Sequence, residues 1–217
     1  MNLPNLLTII RMALVPVFVV FFYFGQYAWT GGGPEFLLNI GNAGPKFSFL
    51  AFVVFAAAAV TDAVDGHIAR KYNLITNFGK LMDPLADKVL TTAAFIVFVD
   101  VGIIPAWMVI VILAREFIIT GLRGVAASEG VVIEASLSGK LKTVSQMTAI
   151  SVILLAPAVL GGFGSVLIVM GAPELFLYGF GIFLTYAGRI LIWVAVIFTV
   201  YSGIDYLWKG RKLLNLK

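Results

Sequence analysis

The fold is decided by the stretch Asp62-Ala-Val-Asp65-Gly66-His-Ile-Ala69-Arg70, followed after eight residues by Gly79-Lys-Leu-Met-Asp83-Pro-Leu-Ala-Asp87. Its four aspartates belong to a chain of 217 residues with only eleven acidic side chains, and long apolar segments flank them. Ionisable groups in or near a bilayer are costly and are usually retained for function. This stretch is therefore the first candidate for a functional site.

The overall composition indicates an integral membrane protein. Hydrophobic residues make up 61% of the chain and charged residues 12%, which is too apolar for an ordinary soluble domain. A bilayer core of about 30 Å needs about 20 apolar residues per helix. We therefore expect a single membrane domain over residues 1–217. There is no dense Lys/Arg tract to suggest nucleic acid, and the absence of cysteine excludes disulfides and thiolate metal sites.

Apolar segments and their breaks predict an all-α bundle of six transmembrane helices. The expected spans are approximately 6–24, 47–63, 84–101, 106–127, 143–160 and 190–206, with a loop at 128–142. Residues 163–187 are also apolar. We predict for them an interfacial or re-entrant segment, broken by Gly171, Pro173, Gly179 and Gly181.

The basic residues predict the orientation of this bundle. One face carries Arg70, Lys71, Lys80, Lys140, Lys142, Lys209, Arg211, Lys212 and Lys217, whereas Lys46 is the only basic residue in a connection on the other. By the positive-inside rule, both termini and the aspartate motif are expected on the cytoplasmic side of the cell (inner) membrane. Interfacial positions are predicted for Trp107, Trp193, Tyr206 and Trp208.

The spacing of the aspartates indicates a metal site. On helices, Asp62 and Asp65 are separated by three residues and Asp83 and Asp87 by four, so each pair shares a face. Four carboxylates at close range repel one another unless cations lie between them. Oxygen-only ligands favour Mg²⁺ or Mn²⁺, and two such ions are suited to clamping a pyrophosphate.

Small and basic residues accompany the aspartates. The small side chains of Gly66, Ala69 and Gly79 would let a nucleotide or phosphate approach the backbone, and Arg70 and Lys80 would supply cations for phosphate oxygens. Ordinary helix packing for the small residues and membrane-surface anchoring for the basic ones are the alternatives.

The pattern Asp-x2-Asp-Gly-x2-Ala-Arg-x8-Gly-x3-Asp-x3-Asp resembles the signature of the CDP-alcohol phosphatidyltransferase family at all eight fixed positions. The resemblance implies the family's six-helix fold, a homodimer, and a reaction in which a CDP-linked lipid loses CMP and passes its phosphatidyl group to an alcohol. It implies metal binding by Asp62, Asp65 and Asp83, and makes Asp87 a ligand or the general base. The CDP site would be lined by Gly66, Ala69, Arg70 and Gly79, beside Asp62 and Lys80.

A second group of charged residues is the candidate binding site for the acceptor alcohol. Arg115, Glu116 and Arg123 lie in the fourth span and Lys140 and Lys142 open the fifth, and we expect all five to face one cavity. Their positive balance suggests a phosphorylated acceptor.

The arrangement of this group can be predicted in part. Lys140 and Lys142 would point about 200° apart on a helix, so only one, Lys140, is predicted to face the pocket. Arg115 needs a partner in an apolar span, and Glu116 is expected on a different side of the helix. A structural ion pair with another helix is therefore the alternative for Arg115.

Local sequences resemble the branch of the family whose acceptor is sn-glycerol 3-phosphate and whose product is phosphatidylglycerophosphate. They surround Arg115, Arg123 and Lys140 and include the opening segment 2–11. The implied donor is CDP-diacylglycerol, in anionic phospholipid biosynthesis. Asn5 and Thr8, three residues apart, are candidates for the CDP site, and capping and packing after a proline is an equal alternative.

Other functions remain open from the sequence. Inositol phosphate, phosphatidylglycerol or serine could replace the acceptor within the same chemistry. A small cation transporter would use the aspartates as a transport site but would place them near mid-span. A prenyl-diphosphate transferase also uses aspartate with Mg²⁺, although its aspartates are spaced differently.

Overall fold

The computed structural model describes residues 3–30, 44–71, 77–128, 137–160 and 162–214. Within these ranges the chain is helical apart from two short turns, and no β-strand occurs in them. The prediction of an all-α protein is confirmed.

Seven helices account for the described residues. They are α1 (Leu3–Thr30), α2 (Gly44–Lys71), α3 (Asn77–Asp100), α4 (Ala106–Ser128), α5 (Leu137–Leu160), α6 (Gly162–Val169) and α7 (Glu174–Leu214). The first five predicted spans correspond to α1 to α5, and the sixth to part of α7. The helices are longer than the predicted apolar spans because α2 and α3 continue through the polar aspartate motif.

Three of these helices are long and apolar enough to cross a membrane, in segments Asn5–Gln26, Leu137–Leu160 and Glu174–Trp208. A shorter apolar stretch, Lys46–Thr61, lies in α2. Helix α4 has the length of a span, but Arg115, Glu116 and Arg123 lie within it. The protein is a multi-pass membrane protein.

The segment predicted as a loop at 128–142 is partly helical, because α5 already begins at Leu137. Its polar residues have partners inside the bundle. The Ser138 hydroxyl donates to Asp205 Oδ2 at 2.9 Å, and Lys142 pairs with Glu116. The polarity that suggested a loop therefore belongs to a polar helix–helix contact.

The prediction of a broken segment at 163–187 is wrong in its second half. The chain turns at Gly171, which has a φ of 93°, and Pro173 immediately precedes α7. Gly179 and Gly181 lie inside that continuous helix. A β-carbon at Gly181 would come within 2.3 Å of the Leu160 side chain, so this glycine serves close packing against α5.

Two groups of helices surround the core. Helices α1, α2 and α3 bury Phe18, Phe22, Phe55 and Phe98, and the ring centroids of Phe18 and Phe55 lie 5.7 Å apart. Helix α7 packs along α5 and also contacts α4, while α2 contacts α5 and links the two groups. This arrangement leaves a polar region between α3, α4, α5 and the end of α7.

Candidate active site

A cavity of about 1110 Å³ lies between α3, α4, α5 and α7. The charged residues that line it, within the described part of the chain, are Lys88, Arg115, Glu116, Arg123, Lys140 and Lys142. Apolar side chains, among them Leu85, Ile96 and Phe117, complete the wall, and these three are exposed on the bundle surface. Among the described residues, this one cavity thus offers five cations, one carboxylate and an apolar side.

The face that α4 presents to this cavity follows from helix geometry. Glu116, Thr120 and Arg123 are separated by four and three residues, so they project from the same side. Arg115 precedes them by one position and reaches the cavity through its long side chain. The structure therefore brings together all five charged residues that the sequence singled out on α4 and α5.

Glu116 lies at the centre of the charged group. Its Oε1 accepts hydrogen bonds from Arg115 Nη1 at 3.1 Å and from Lys142 Nζ. All three side chains are largely buried, with exposed fractions of 17% for Glu116, 11% for Arg115 and 7% for Lys142. Glu116 leaves α4 on a different side from Arg115, about 100° around the helix, but the two long side chains still form a hydrogen bond.

Lys140 and Lys142 both line the cavity, so the prediction that only Lys140 does is wrong. Lys142 is buried beside Glu116, whereas Lys140 is exposed. The flexible stem of lysine lets its ammonium reach a site from either side of a helix, which a calculation from helix angles alone does not include.

Helix α7 holds Arg115 from the other side. Arg115 Nη2 donates a hydrogen bond to the Ser202 hydroxyl, and a β-carbon at Gly203 would lie 3.1 Å from Arg115 Cγ. The Nε of Arg115 is buried and has no hydrogen-bond partner among the residues that the structure describes. Buried polar atoms without partners are uncommon in structural ion pairs, which suggests that Arg115 is retained for more than packing.

Tyr206 connects the two arginines. Its hydroxyl accepts a hydrogen bond from Arg123 Nη2 at 2.7 Å, and its ring centre lies 5.1 Å from Arg123 Cζ and 5.5 Å from Arg115 Cζ. Tyr206 is only 4% exposed, so its prediction as an interfacial residue is wrong. The other predicted interfacial residues, Trp107, Trp193 and Trp208, are exposed.

Lys88 is a cavity residue that sequence reasoning missed. It follows Asp87 on α3, and its ammonium donates a hydrogen bond to the Thr120 hydroxyl on α4. Its position directly after the last aspartate is the signal that could have identified it. Because Leu85, Lys88 and Val89 all line the cavity, the motif-bearing part of α3 borders the basic group.

The aspartate motif is described at the level of the backbone. Asp62, Asp65, Gly66, Ala69 and Arg70 lie on α2, and Gly79, Lys80, Asp83 and Asp87 lie on α3. The side chains of these nine residues lie outside the described set. The helical backbone agrees with the three- and four-residue spacing from which shared faces were expected, and an all-carboxylate donor set suits Mg²⁺ or Mn²⁺.

Asn5 and Thr8, the candidates for the CDP site on α1, lie beside the helices that carry the aspartates. Thr8 is fully buried and Asn5 half-buried on α1, which contacts both α2 and α3. Outside the aspartate motif, the described residues form no group of three or more His, Cys, Asp or Glu that could hold a metal ion. The four aspartates stay the predicted metal ligands.

Comparison with known proteins identifies the family. A sequence model of the CDP-alcohol phosphatidyltransferase family matches residues 1–201. The chain belongs to this family. The match extends well beyond the 26-residue motif and includes the cavity residues on α4 and α5.

Individual members of the CDP-alcohol phosphatidyltransferase family align over nearly the whole chain. The chain is 41% identical over 219 residues to CDP-diacylglycerol--glycerol-3-phosphate 3-phosphatidyltransferase of Bacillus subtilis (strain 168), covering 99% of each protein. It is 36% identical to the protein of that name from Rickettsia bellii (strain RML369-C), covering 97% and 96%. The corresponding protein of Salmonella paratyphi A (strain ATCC 9150 / SARB42) is 33% identical over 97% and 95%.

Proposed function

We propose that the protein is an enzyme that transfers the phosphatidyl group of CDP-diacylglycerol to sn-glycerol 3-phosphate, giving phosphatidylglycerophosphate and CMP. Relatives of nearly equal length, 33% to 41% identical, carry the name of this activity. In the structure, the proposal depends on the cavity, because its five cations suit a small phosphorylated acceptor.

The acceptor phosphate would bind among Arg115, Arg123, Lys140 and Lys142. Tyr206 already bonds to Arg123, so the planar guanidinium is held in place before the ligand arrives. Such preorganisation lowers the entropy that binding must overcome. Lys88 would add a cation between this group and the aspartate motif.

Asp62, Asp65, Asp83 and Asp87 would hold two Mg²⁺ or Mn²⁺ ions. When bound, such ions polarise phosphoryl oxygens and neutralise the charge that develops on them. Gly66, Ala69 and Gly79 would let the nucleotide approach the backbone of α2 and α3, beside Arg70 and Lys80. Asn5 and Thr8 on α1 would complete the CDP site.

The chain's own residues have three tasks in this reaction. The basic cavity binds the acceptor, and its fixed side chains orient the hydroxyl toward the phosphatidyl phosphorus. Asp87 takes the hydroxyl proton as the new O–P bond forms and the bond to CMP breaks. The apolar wall at Ile96 and Phe117 lets the lipid tails remain in the bilayer while the headgroup enters.

We also propose six membrane spans with the site on the cytoplasmic side of a bacterial inner membrane, and a homodimer. The basic residues flanking the motif support the orientation by the positive-inside rule. A cytoplasmic site gives the soluble acceptor direct access to the cavity.

CMP release from CDP-diacylglycerol tests the function. Purified protein with Mg²⁺ or Mn²⁺ is expected to release CMP when sn-glycerol 3-phosphate is added, and not with inositol phosphate, serine, phosphatidylglycerol or water. Equal release with another acceptor would overturn the acceptor assignment. No release with any acceptor would overturn the transferase, and ion flux in liposomes would then favour a transporter.

A substitution at the motif tests the assigned base. Asp87→Asn is expected to abolish turnover while nucleotide binding persists, because the amide cannot take the proton. Asp100→Asn is the matched control, since Asp100 is exposed at the other end of the same helix. An active Asp87→Asn protein would show that another group takes the proton.

A further inference from the structure

The carboxylate of Glu116 has one occupied and one available oxygen. Oε1 accepts from both Arg115 and Lys142, whereas Oε2 makes no hydrogen bond to any described residue. Glu116 lines the cavity, and Oε2 is not among the buried atoms without a partner, so this oxygen is open to the cavity. An oriented acceptor atom therefore faces the space in which the cations lie.

The position of Glu116 is held from three helices. Lys142 approaches from α5, and Arg115 is tied in turn to Ser202 on α7. Because Gly203 carries no side chain, Arg115 packs close to α7. A carboxylate held in this way cannot turn away from the cavity without breaking its contacts with both partners.

The charge of Glu116 restricts what Oε2 can bind. An ionised carboxylate accepts hydrogen bonds and does not donate them, and it repels phosphate. The ligand group beside it must therefore be a donor such as a hydroxyl. The phosphate of the same ligand would bind the cations of the cavity, Arg115, Arg123, Lys140 and Lys142, rather than the Oε2 side of Glu116.

We infer that Glu116 accepts a hydrogen bond from the central hydroxyl group of the acceptor, the hydroxyl that does not react. This inference rests on the proposed function, in which the acceptor carries a phosphate, a terminal hydroxyl that attacks and a central hydroxyl that does not. Two cations on Oε1 make Glu116 a poor base, so it is suited to binding a hydroxyl rather than deprotonating it. Glu116 thus determines specificity for a polyol phosphate over a simple hydroxyalkyl phosphate.

The test compares two acceptors that differ only in the central hydroxyl, sn-glycerol 3-phosphate and propane-1,3-diol monophosphate. The unmodified protein is expected to prefer the first by about 10-fold or more in kcat/KM, as for a hydrogen bond to a charged group. In Glu116→Gln this preference should fall at least severalfold. A purely structural Glu116 would lower kcat/KM for both acceptors equally and leave the ratio unchanged.

Asp205→Asn provides the matched control. Asp205 is a carboxylate on α7 that bonds to Ser138 and does not line the cavity, so its substitution should leave the ratio unchanged. If Glu116→Gln does not fold, Glu116→Asp can be used instead. Its side chain keeps the charge but is one methylene shorter, so the carboxylate lies farther from the acceptor. The preference for sn-glycerol 3-phosphate should therefore also fall.

The outcomes separate this inference from the function on which it rests. Equal use of both acceptors by the unmodified protein would overturn the inference while leaving the proposed function intact. The inference would also be overturned if the ratio of kcat/KM for the two acceptors stayed constant in the Glu116 variants. It would be overturned as well if neither the unmodified protein nor any Glu116 variant used propane-1,3-diol monophosphate. Absence of turnover with sn-glycerol 3-phosphate would instead overturn the proposed function.

Discussion

The two halves of the helix bundle share one apolar core but differ in what they add to it. Helices α1, α2 and α3 meet through aromatic rings, with Phe22 and Phe98 centroids 5.8 Å apart. Helices α4, α5 and α7 contribute aliphatic side chains such as Ile150 to that core and add polar contacts, such as Gln146 Nε2 to Thr199 Oγ1 at 3.0 Å. Dispersion between the rings stabilises the fold, whereas the polar contacts also position groups that face the cavity. Substitutions in the ring cluster should therefore change stability without changing acceptor binding, whereas substitutions among the polar contacts should change both.

The largest expected effect is on the aromatic half. Phe18→Ala removes a fully buried ring and should lower the free energy of unfolding by about 3–5 kcal/mol, because the cavity left behind only partly collapses. Thermal unfolding in detergent measures the loss, and Phe183→Ala, at a 62% exposed position, is the matched control. The acceptor KM of the folded fraction should be unchanged; a raised KM would show that the two halves are not independent.

The next effect is on the charged half. Arg115→Ala should lower kcat/KM for the acceptor by about 100-fold, mainly through KM, because a charge-assisted contact to phosphate is lost. Steady-state kinetics with varied acceptor checks this, and Arg189→Ala, at an exposed position on α7, is the control. A change in kcat alone would assign Arg115 to the chemical step instead.

A smaller effect is expected at Tyr206. Tyr206→Phe keeps the ring between the two arginines but removes the 2.7 Å hydrogen bond to Arg123, so KM for the acceptor should rise about 5-fold. Tyr201→Phe, on the exposed face of the same helix, should leave KM unchanged. Equal KM values for both variants would mean that the ring alone positions Arg123.

The smallest effect is expected at Gly203. Gly203→Ala places a β-carbon 3.1 Å from Arg115 Cγ, so the arginine must shift by a few tenths of an ångström and KM should rise about twofold. At Gly179, where a β-carbon meets nothing within 4 Å, alanine should slightly stabilise the helix and leave KM unchanged. Identical kinetics for both variants would show that Arg115 tolerates displacement.

The sequence predicted those features that depend on local spacing. Arg115, Glu116 and Arg123 lie on one helix, so their position beside one cavity could be predicted from their spacing. The grouping of the four aspartates within 26 residues stays a prediction. Apolar length predicted the helices but not the ends of each one, because a glycine such as Gly181 of α7 serves close packing rather than a break.

The partners from α7 could not be predicted, because they depend on how distant helices pack. Arg115 and Ser202 are 87 positions apart, and Arg123 and Tyr206 are 83 apart. The sequence predicts an interfacial position for Tyr206 because an aromatic side chain near a helix end has that position more often than a place between two arginines. The cavity position of Lys142 does not follow from its helix angle, because its flexible stem decides where its ammonium lies.

The length of α7 has a consequence for the setting in which the enzyme works. With 41 residues the helix measures about 60 Å, roughly twice the hydrocarbon thickness of a bilayer. It therefore lies tilted or projects from the membrane, and its inclination is set by its packing along α5 and by its anchors at the membrane surface. Because Ser202 and Tyr206 lie on this helix, a change in that inclination would move the two groups that hold the arginines.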